Sequence, residues 1–199
     1  MNRKQFISIN NNAAGNIGKY MYISSGLYEE KKSKFYSYIF KIENKEHAED
    51  ILDEIRKEFK DARHVVYAYV IDNTYKYSDD GEPSGTAGKM IYSLLEKQNV
   101  TNVLAVVIRY FGGILLGAGP LSRAYLKAVK SAEETLEIVE YIPKEIYVLE
   151  CEYSEEPILR SIIDSSDAEL LDVDYTGKPQ YKVKVSENDI KLFNKFQKA

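Results

Sequence analysis

The chain has 199 residues, 44% hydrophobic and 29% charged, with 5 prolines and 11 glycines. That excludes a disordered or fibrous chain and allows two small domains with filled cores. The formal charge of −4 leaves no polycationic footprint on the whole chain, so a nucleic-acid or anion site has to be a local patch. One cysteine (Cys151) excludes an internal disulfide framework, and two histidines (His47 and His64) leave almost nothing for a zinc site, so no metal or cofactor is expected.

Residues 1–19 are polar, rich in Asn and Gly, and read as a loose extension; they carry asparagines where a signal peptide needs an apolar stretch. No apolar run approaches the roughly 18–20 residues of a membrane span. A soluble, cytoplasmic chain without membrane association is expected. Folding signals start near Tyr20. Phe35 to Ile42 is aromatic and β-branched, as a strand should be. Asn44 can cap a helix in which Ala48, Ile51, Leu52, Ile55 and Phe59 recur at helical spacing. His64 to Ile71 reads as a second strand, and the glycine-rich stretch 78–88 as a shaped loop before a short helix holding Met90, Ile91, Leu94 and Leu95. Val103 to Ile108 is continuously apolar, the mark of a strand buried on both faces. A second glycine-rich loop then reaches Pro120, a suitable first helical residue, and Leu121, Tyr125, Ala128, Ala132 and Leu136 form the buried stripe of a long helix.

The register changes near Tyr141-Ile142-Pro143. Beyond it a strand (144–153), a helix (155–163), two strands around Gly177-Lys178-Pro179 and a helix from Glu187 suggest a ferredoxin-like domain whose usual last strand is missing. The fold class is therefore α+β, with two α/β sandwich domains at 20–139 and 140–199. Residues 141–199 hold 8 basic and 12 acidic groups, while residues 1–140 hold 19 of each. Between Glu96 and Glu133 there is no acid, whereas Lys97, Arg109, Arg123, Lys127 and Lys130 all fall there. This local excess is the main electrostatic asymmetry of the chain.

Asp79, Asp80 and Glu82 stand within four residues. Close carboxylates can hold a hard cation or force one of their number to keep its proton as a catalytic acid; equally, they can shape a turn and complement the positive start of the next helix. Gly88-Lys89 is not a phosphate-binding P-loop, since Pro83 sits at the first glycine position and Met90 replaces the Ser or Thr. The second loop is richer. Gly112, Gly113, Gly117 and Gly119 let backbone approach something closely, and the free amides of a helix start favour an anion. Arg123, Lys127 and Lys130 follow at i, i+4 and i+7 on one helical face. A basic face beside such a turn can grip a phosphate backbone, or it can be a solvated helix face. Tyr110 and Phe111 are placed to stack on a base. Arg109 can bind an external anion or pair with one of the three carboxylates. His64, at the start of its strand, reads as a structural histidine.

The stretch 78–88 (SDDGEPSGTAG), followed by 109–119 (RYFGGILLGAG) and Arg123-Ala124-Tyr125, resembles the Impact/YigZ family. Lys32-Ser33-Lys34-Phe35 and Ala62-Arg63-His64 match its earlier motifs. The resemblance covers about residues 20–139 and puts Ser84, Gly85, Thr86, Gly88 and His64 among the family's motif residues. Residues 140–199 are similar to the family's bacterial C-terminal domain, which resembles a ferredoxin-like domain of elongation factor G. The resemblance implies a first domain like the second domain of a small-subunit ribosomal protein, and a role in regulating translation. The expected partners are RNA or the ribosome, or a translation-regulating protein, met through Arg109, Arg123, Lys127, Lys130 and the glycine loops. The alternative is an enzyme acting on a phosphate-containing or other anionic substrate with Asp79, Asp80 and Glu82. The acid excess of residues 140–199 assigns anion recognition to residues 20–139.

Overall fold

The computed structural model describes residues 5–9, 15–140 and 142–197. The chain divides into two compact units, Met1–Tyr141 and Ile142–Ala199. In the first unit the elements run β1 (Gln5–Ile9), β2 (Gly15–Ile17), β3 (Tyr20–Tyr22), β4 (Ser24–Glu30), β5 (Ser33–Lys41), α1 (Lys45–Glu58), β6 (His64–Ile71), β7 (Thr74–Ser78), α2 (Gly88–Gln98), β8 (Val100–Thr101), β9 (Val103–Tyr110), α3 (Ala118–Glu133) and β10 (Leu136–Glu140). Composition predicts a loose extension over 1–19. Instead β1 pairs antiparallel with β10 and parallel with β8, and β2 forms a hairpin with β3. A ladder needs only backbone N–H and C=O groups, and the main partner of β1 lies near the far end of the unit, so no local pattern announces it.

The main sheet is five-stranded and antiparallel, in the order β4-β5-β9-β6-β7. The central strand β9 follows the two-residue side-chain period. Val103, Ala105 and Val107 face a core shared with α2 and α3, while Leu104, Val106 and Ile108 face one shared with α1. All six are buried, each contributing roughly 1.5–3 kcal/mol as a full apolar burial, and the smaller alanine less. Helices on both faces account for the unbroken apolar run. Asn44 caps α1 by accepting the His47 amide at 2.8 Å. Helix α3 begins at Ala118, two residues before Pro120, because Gly117 (φ 80°) turns the chain into it. Leu121, Tyr125, Ala128 and Ala132 are buried along it, but Leu136 belongs to β10.

The second unit contains β11 (Lys144–Glu150), α4 (Glu156–Ser165), β12 (Glu169–Asp174), β13 (Gln180–Ser186) and a 3-10 helix (Ile190–Phe196). Among the described residues its sheet order, β11-β13-β12 and antiparallel throughout, is that of a ferredoxin-like domain without its fourth strand. Gln197 makes one bridge to Leu149 at the edge where that strand would pair. The helix expected from Glu187 is a 3-10 segment starting at Ile190. Phe193 and Phe196, three residues apart, are both buried, which suits three residues per turn. Among the described residues, no helix is long and apolar enough to cross a membrane.

Candidate functional site

The acidic loop between β7 and α2 uses each of its carboxylates differently. Asp79 accepts from the amides of Gly85 at 2.7 Å, Ala87 at 3.1 Å and Gly88 at 2.8 Å. It thereby caps α2, whose own N-cap, Ala87, supplies no side chain for the purpose. Gly88 is needed because a Cβ there would stand 2.3 Å from the Ser78 carbonyl oxygen. Asp80 accepts the Val65 amide at 2.6 Å through its side chain, and its carbonyl oxygen lies 2.7 Å from His64 Nδ1. A carbonyl only accepts, so Nδ1 carries the hydrogen, and Nε2 faces Glu82 Oε1 at 3.7 Å. Thr86 donates to the Pro83 carbonyl at 2.6 Å, while Ser84 is exposed. The three carboxylates therefore serve separate partners, and among the described residues no group of three His, Cys, Asp or Glu could hold a metal ion.

Glu82 joins the two motif loops. Its Oε1 accepts from Arg109 Nη1 and from the Tyr125 hydroxyl at 2.7 Å, with the carboxylate and guanidinium both almost fully buried. Burial, and then the charge of Glu82, push the Tyr125 hydroxyl far up, so it remains a donor. Arg109 is 5% exposed and sits near the rings of Phe35 (5.3 Å) and Phe111 (5.7 Å), while its Nε has no hydrogen-bond partner among the described residues. Of the two roles the sequence allows Arg109, the structure displays the internal pairing.

The exposed part of the site lies outside this knot. Arg123, Lys127 and Lys130 are all exposed on α3, opposite its buried stripe. Lys127 donates to the Tyr28 hydroxyl at 3.1 Å and stands 5.0 Å from that ring, which ties the helix face to β4. The loop between β9 and α3 is laid against the β4–β5 turn. The Gly112 amide donates to Ser33 Oγ at 3.1 Å, and a Cβ on Gly112 would stand 2.1 Å from the Lys32 carbonyl carbon. Exposed Lys31 and Lys32 form that turn in left-handed conformation. Gly113 and Gly117 have positive φ with open space around them, and the Arg123 guanidinium approaches Gly119. Phe111, Ile114 and Leu115 are exposed on the same loop, Leu115 at 84%. Tyr110 lies elsewhere. It packs against the α1 side of the sheet, its hydroxyl donates to Asp61 at 3.0 Å, and burial, followed by that bond, pushes its pKa to about 12.

Two features escape sequence reading. Arg63, 5.5 Å from the Phe111 ring, adds a cation beside the loop. Ile114 and Leu115 are apolar yet exposed, and of residues 114–116 only Leu116 is buried. The surrounding glycines were the available signal, since they exclude a helix or strand there.

A family model for the Impact N-terminal domain matches residues 31–133. An IMPACT family member from Haemophilus influenzae is 33% identical over 178 residues, covering 86% of each chain. The IMPACT family member YigZ of Escherichia coli is 37% identical over 152 residues, covering 74% of each. A solved structure described as a hypothetical protein superposes with a TM-score of 0.67 at 30% identity, covering 96% of this chain and 90% of that one. With its paired glycine-rich loops, its antiparallel sheet and relatives matched over most of their length, the chain belongs to the Impact family.

Proposed function

We propose that this chain is a translation-associated regulatory protein that binds RNA, the ribosome or a ribosome-bound factor through α3 and the glycine loop before it. The observation that carries the reading is the outer face of α3. Arg123, Lys127 and Lys130 are exposed together, in a stretch of sequence without acids. Lys31, Lys32 and Arg63 extend the positive charge around the loop. The acidic charge of the whole chain does not cancel this face, because exposed charges beyond a Debye length of about 8–10 Å are largely screened. The family resemblance supplies the translational context. The enzyme reading draws less support, because Asp79, Asp80 and Glu82 are each held by a partner within the fold.

The test is titration of a fluorescent single-stranded RNA, and of purified small ribosomal subunits, between 50 and 200 mM salt. Each phosphate contact on a single strand contributes about 0.7 to the slope of log K against log salt. Arg123→Gln with Lys127→Gln should flatten that slope by about 1.4 and leave the fold intact. An unchanged slope, or no binding at the lowest salt, refutes the assignment to this face.

A further inference from the structure

The loop between β9 and α3 carries the most exposed large apolar side chain among the described residues. Leu115 is 84% exposed, with Ile114 at 45% and Phe111 at 39% on the same loop. Single leucines at a surface are commonplace, but three large apolar side chains gathered on one loop form a patch. The patch is held at both ends. Before its tip the Gly112 amide donates to Ser33 Oγ at 3.1 Å, and after it Leu116 is buried in the core shared with α2 and α3. The fold thus presents the tip, and ordering it on binding costs little.

Positive charge surrounds it. Lys31 and Lys32 form the adjoining β4–β5 turn, against which Gly112 is packed, and the Arg63 guanidinium stands 5.5 Å from the Phe111 ring. The Arg123 guanidinium approaches Gly119 at the far end of the loop. All four cations are exposed. The acids at the end of β4 are already engaged, Glu29 with Lys34 and Glu30 with the Tyr28 hydroxyl. An apolar centre inside a charged rim is the layout of a protein interface. Bare RNA offers the tip no match. Its phosphates take cations, and its bases stack on flat rings or guanidinium planes, which a branched aliphatic side chain lacks. A bilayer is disfavoured by size, since even a whole myristoyl chain anchors only marginally.

We propose that Leu115 and Ile114 insert into an apolar pocket on a protein of the ribosome or on a factor bound to it, with carboxylates at the pocket rim facing Lys31, Lys32, Arg63 and Arg123. This rests on the ribosome reading of the basic face and deepens it by dividing the work. The cations of α3 supply salt-sensitive attraction, and the tip supplies a salt-independent part that a protein surface accepts.

The experiment is a fluorescence titration of the full chain against small ribosomal subunits washed only at low salt, which retain bound factors, and against the RNA extracted from the same subunits. Burial of one leucine is worth roughly tenfold or more in affinity. Leu115→Ser with Ile114→Ser, both at exposed positions, should therefore weaken binding to subunits by about tenfold or more, with the slope of log K against log salt unchanged. Binding to the bare RNA should not change. Leu115→Met keeps an apolar knob and should stay within about threefold of the native chain. Native affinity of the double variant for subunits overturns this proposal alone, because the salt slope still reports the basic face. No binding of the native chain to subunits at low salt overturns both. An equal loss on bare RNA points to a wedge between bases, tip-dependent binding to phosphatidylserine vesicles to a membrane, and a dimer abolished by the double variant to a second copy of the chain; each of these overturns the proposal.

Discussion

Replacing Glu82 by Gln tests the central knot of the first unit. The substitution keeps the side chain's shape and an oxygen that can accept from Tyr125, but it leaves the Arg109 guanidinium without its counter-charge. Both side chains are about 95% buried, so solvent cannot take over the compensation. Breaking a buried pair from one side costs roughly 3–5 kcal/mol. That is a large fraction of the 5–15 kcal/mol typical of a whole domain. At roughly 3 °C per kcal/mol for a unit of this size, the melting temperature should fall by about 10–15 °C. Amide exchange at Val106 and Val107 reads the effect, because those β9 residues report on the first unit alone. Replacing the triad together, Glu82→Leu with Arg109→Met and Tyr125→Phe, removes both charges and the hydroxyl that would otherwise lose its acceptor. This triple variant should recover most of the loss, since apolar replacement of a buried pair is often neutral or better. A Glu82→Gln cost below about 1 kcal/mol, or a triple variant no more stable than the single one, would refute a buried pair whose members depend on each other.

Asp79→Ala removes the acceptor of the Gly85, Ala87 and Gly88 amides and should cost about 1–2 kcal/mol, read as faster exchange of those amides with β9 protection reduced by no more than that amount. Glu133 predicts a pH effect. Its Oε2 accepts from Gln98 at 3.1 Å, its Oε1 is buried with no hydrogen-bond partner among the described residues, and burial raises its pKa above the ordinary 4.5. An acid with a raised folded pKa binds its proton more tightly when folded, so its contribution is most favourable below about 4.5 and is lost as pH climbs through the raised value. Glu133→Gln should remove that decline, gaining on the native chain across the window and levelling off above it. Denaturation midpoints from pH 4 to 8 that run parallel for the two chains would contradict this.

The parts legible in the sequence are those specified by neighbours along the chain. The alternating faces of β9, the Asn44 cap and the stripe of α3 depend on local spacing, and the structure repeats them. The ladder of β1 depends on β8 and β10, and no pattern inside residues 5–9 encodes a pairing so distant. The 3-10 helix of the second unit was hidden because the spacing of Phe193 and Phe196 also fits an α-helix. For the site, residue types were readable but partners were not. Asp79, Asp80 and Glu82 look alike as a cluster, yet backbone geometry sends each to different elements: α2, β6, and β9 with α3. The exposure of Ile114 and Leu115 was not legible either, since apolar character alone does not tell core from an exposed loop tip.

The acidic loop works as a joint, and this determines what the basic face can be. Asp79 ties the loop to the start of α2, Asp80 to β6, and Glu82 to β9 and α3 through Arg109 and Tyr125. Tyr125 lies on the buried side of α3, so the same carboxylate oxygen that pairs with Arg109 also holds the rotation of that helix about its axis. With Tyr125 turned inward, Arg123, Lys127 and Lys130 have to point outward, because residues two or five positions away from it fall on the far side of a 3.6-residue turn. The buried carboxylate thus neutralises the cation that is enclosed and orients the three that face solvent. A glycine-rich, charged motif that looks like a ligand cradle in the sequence does its work one layer below the surface, and the surface it positions carries the charge.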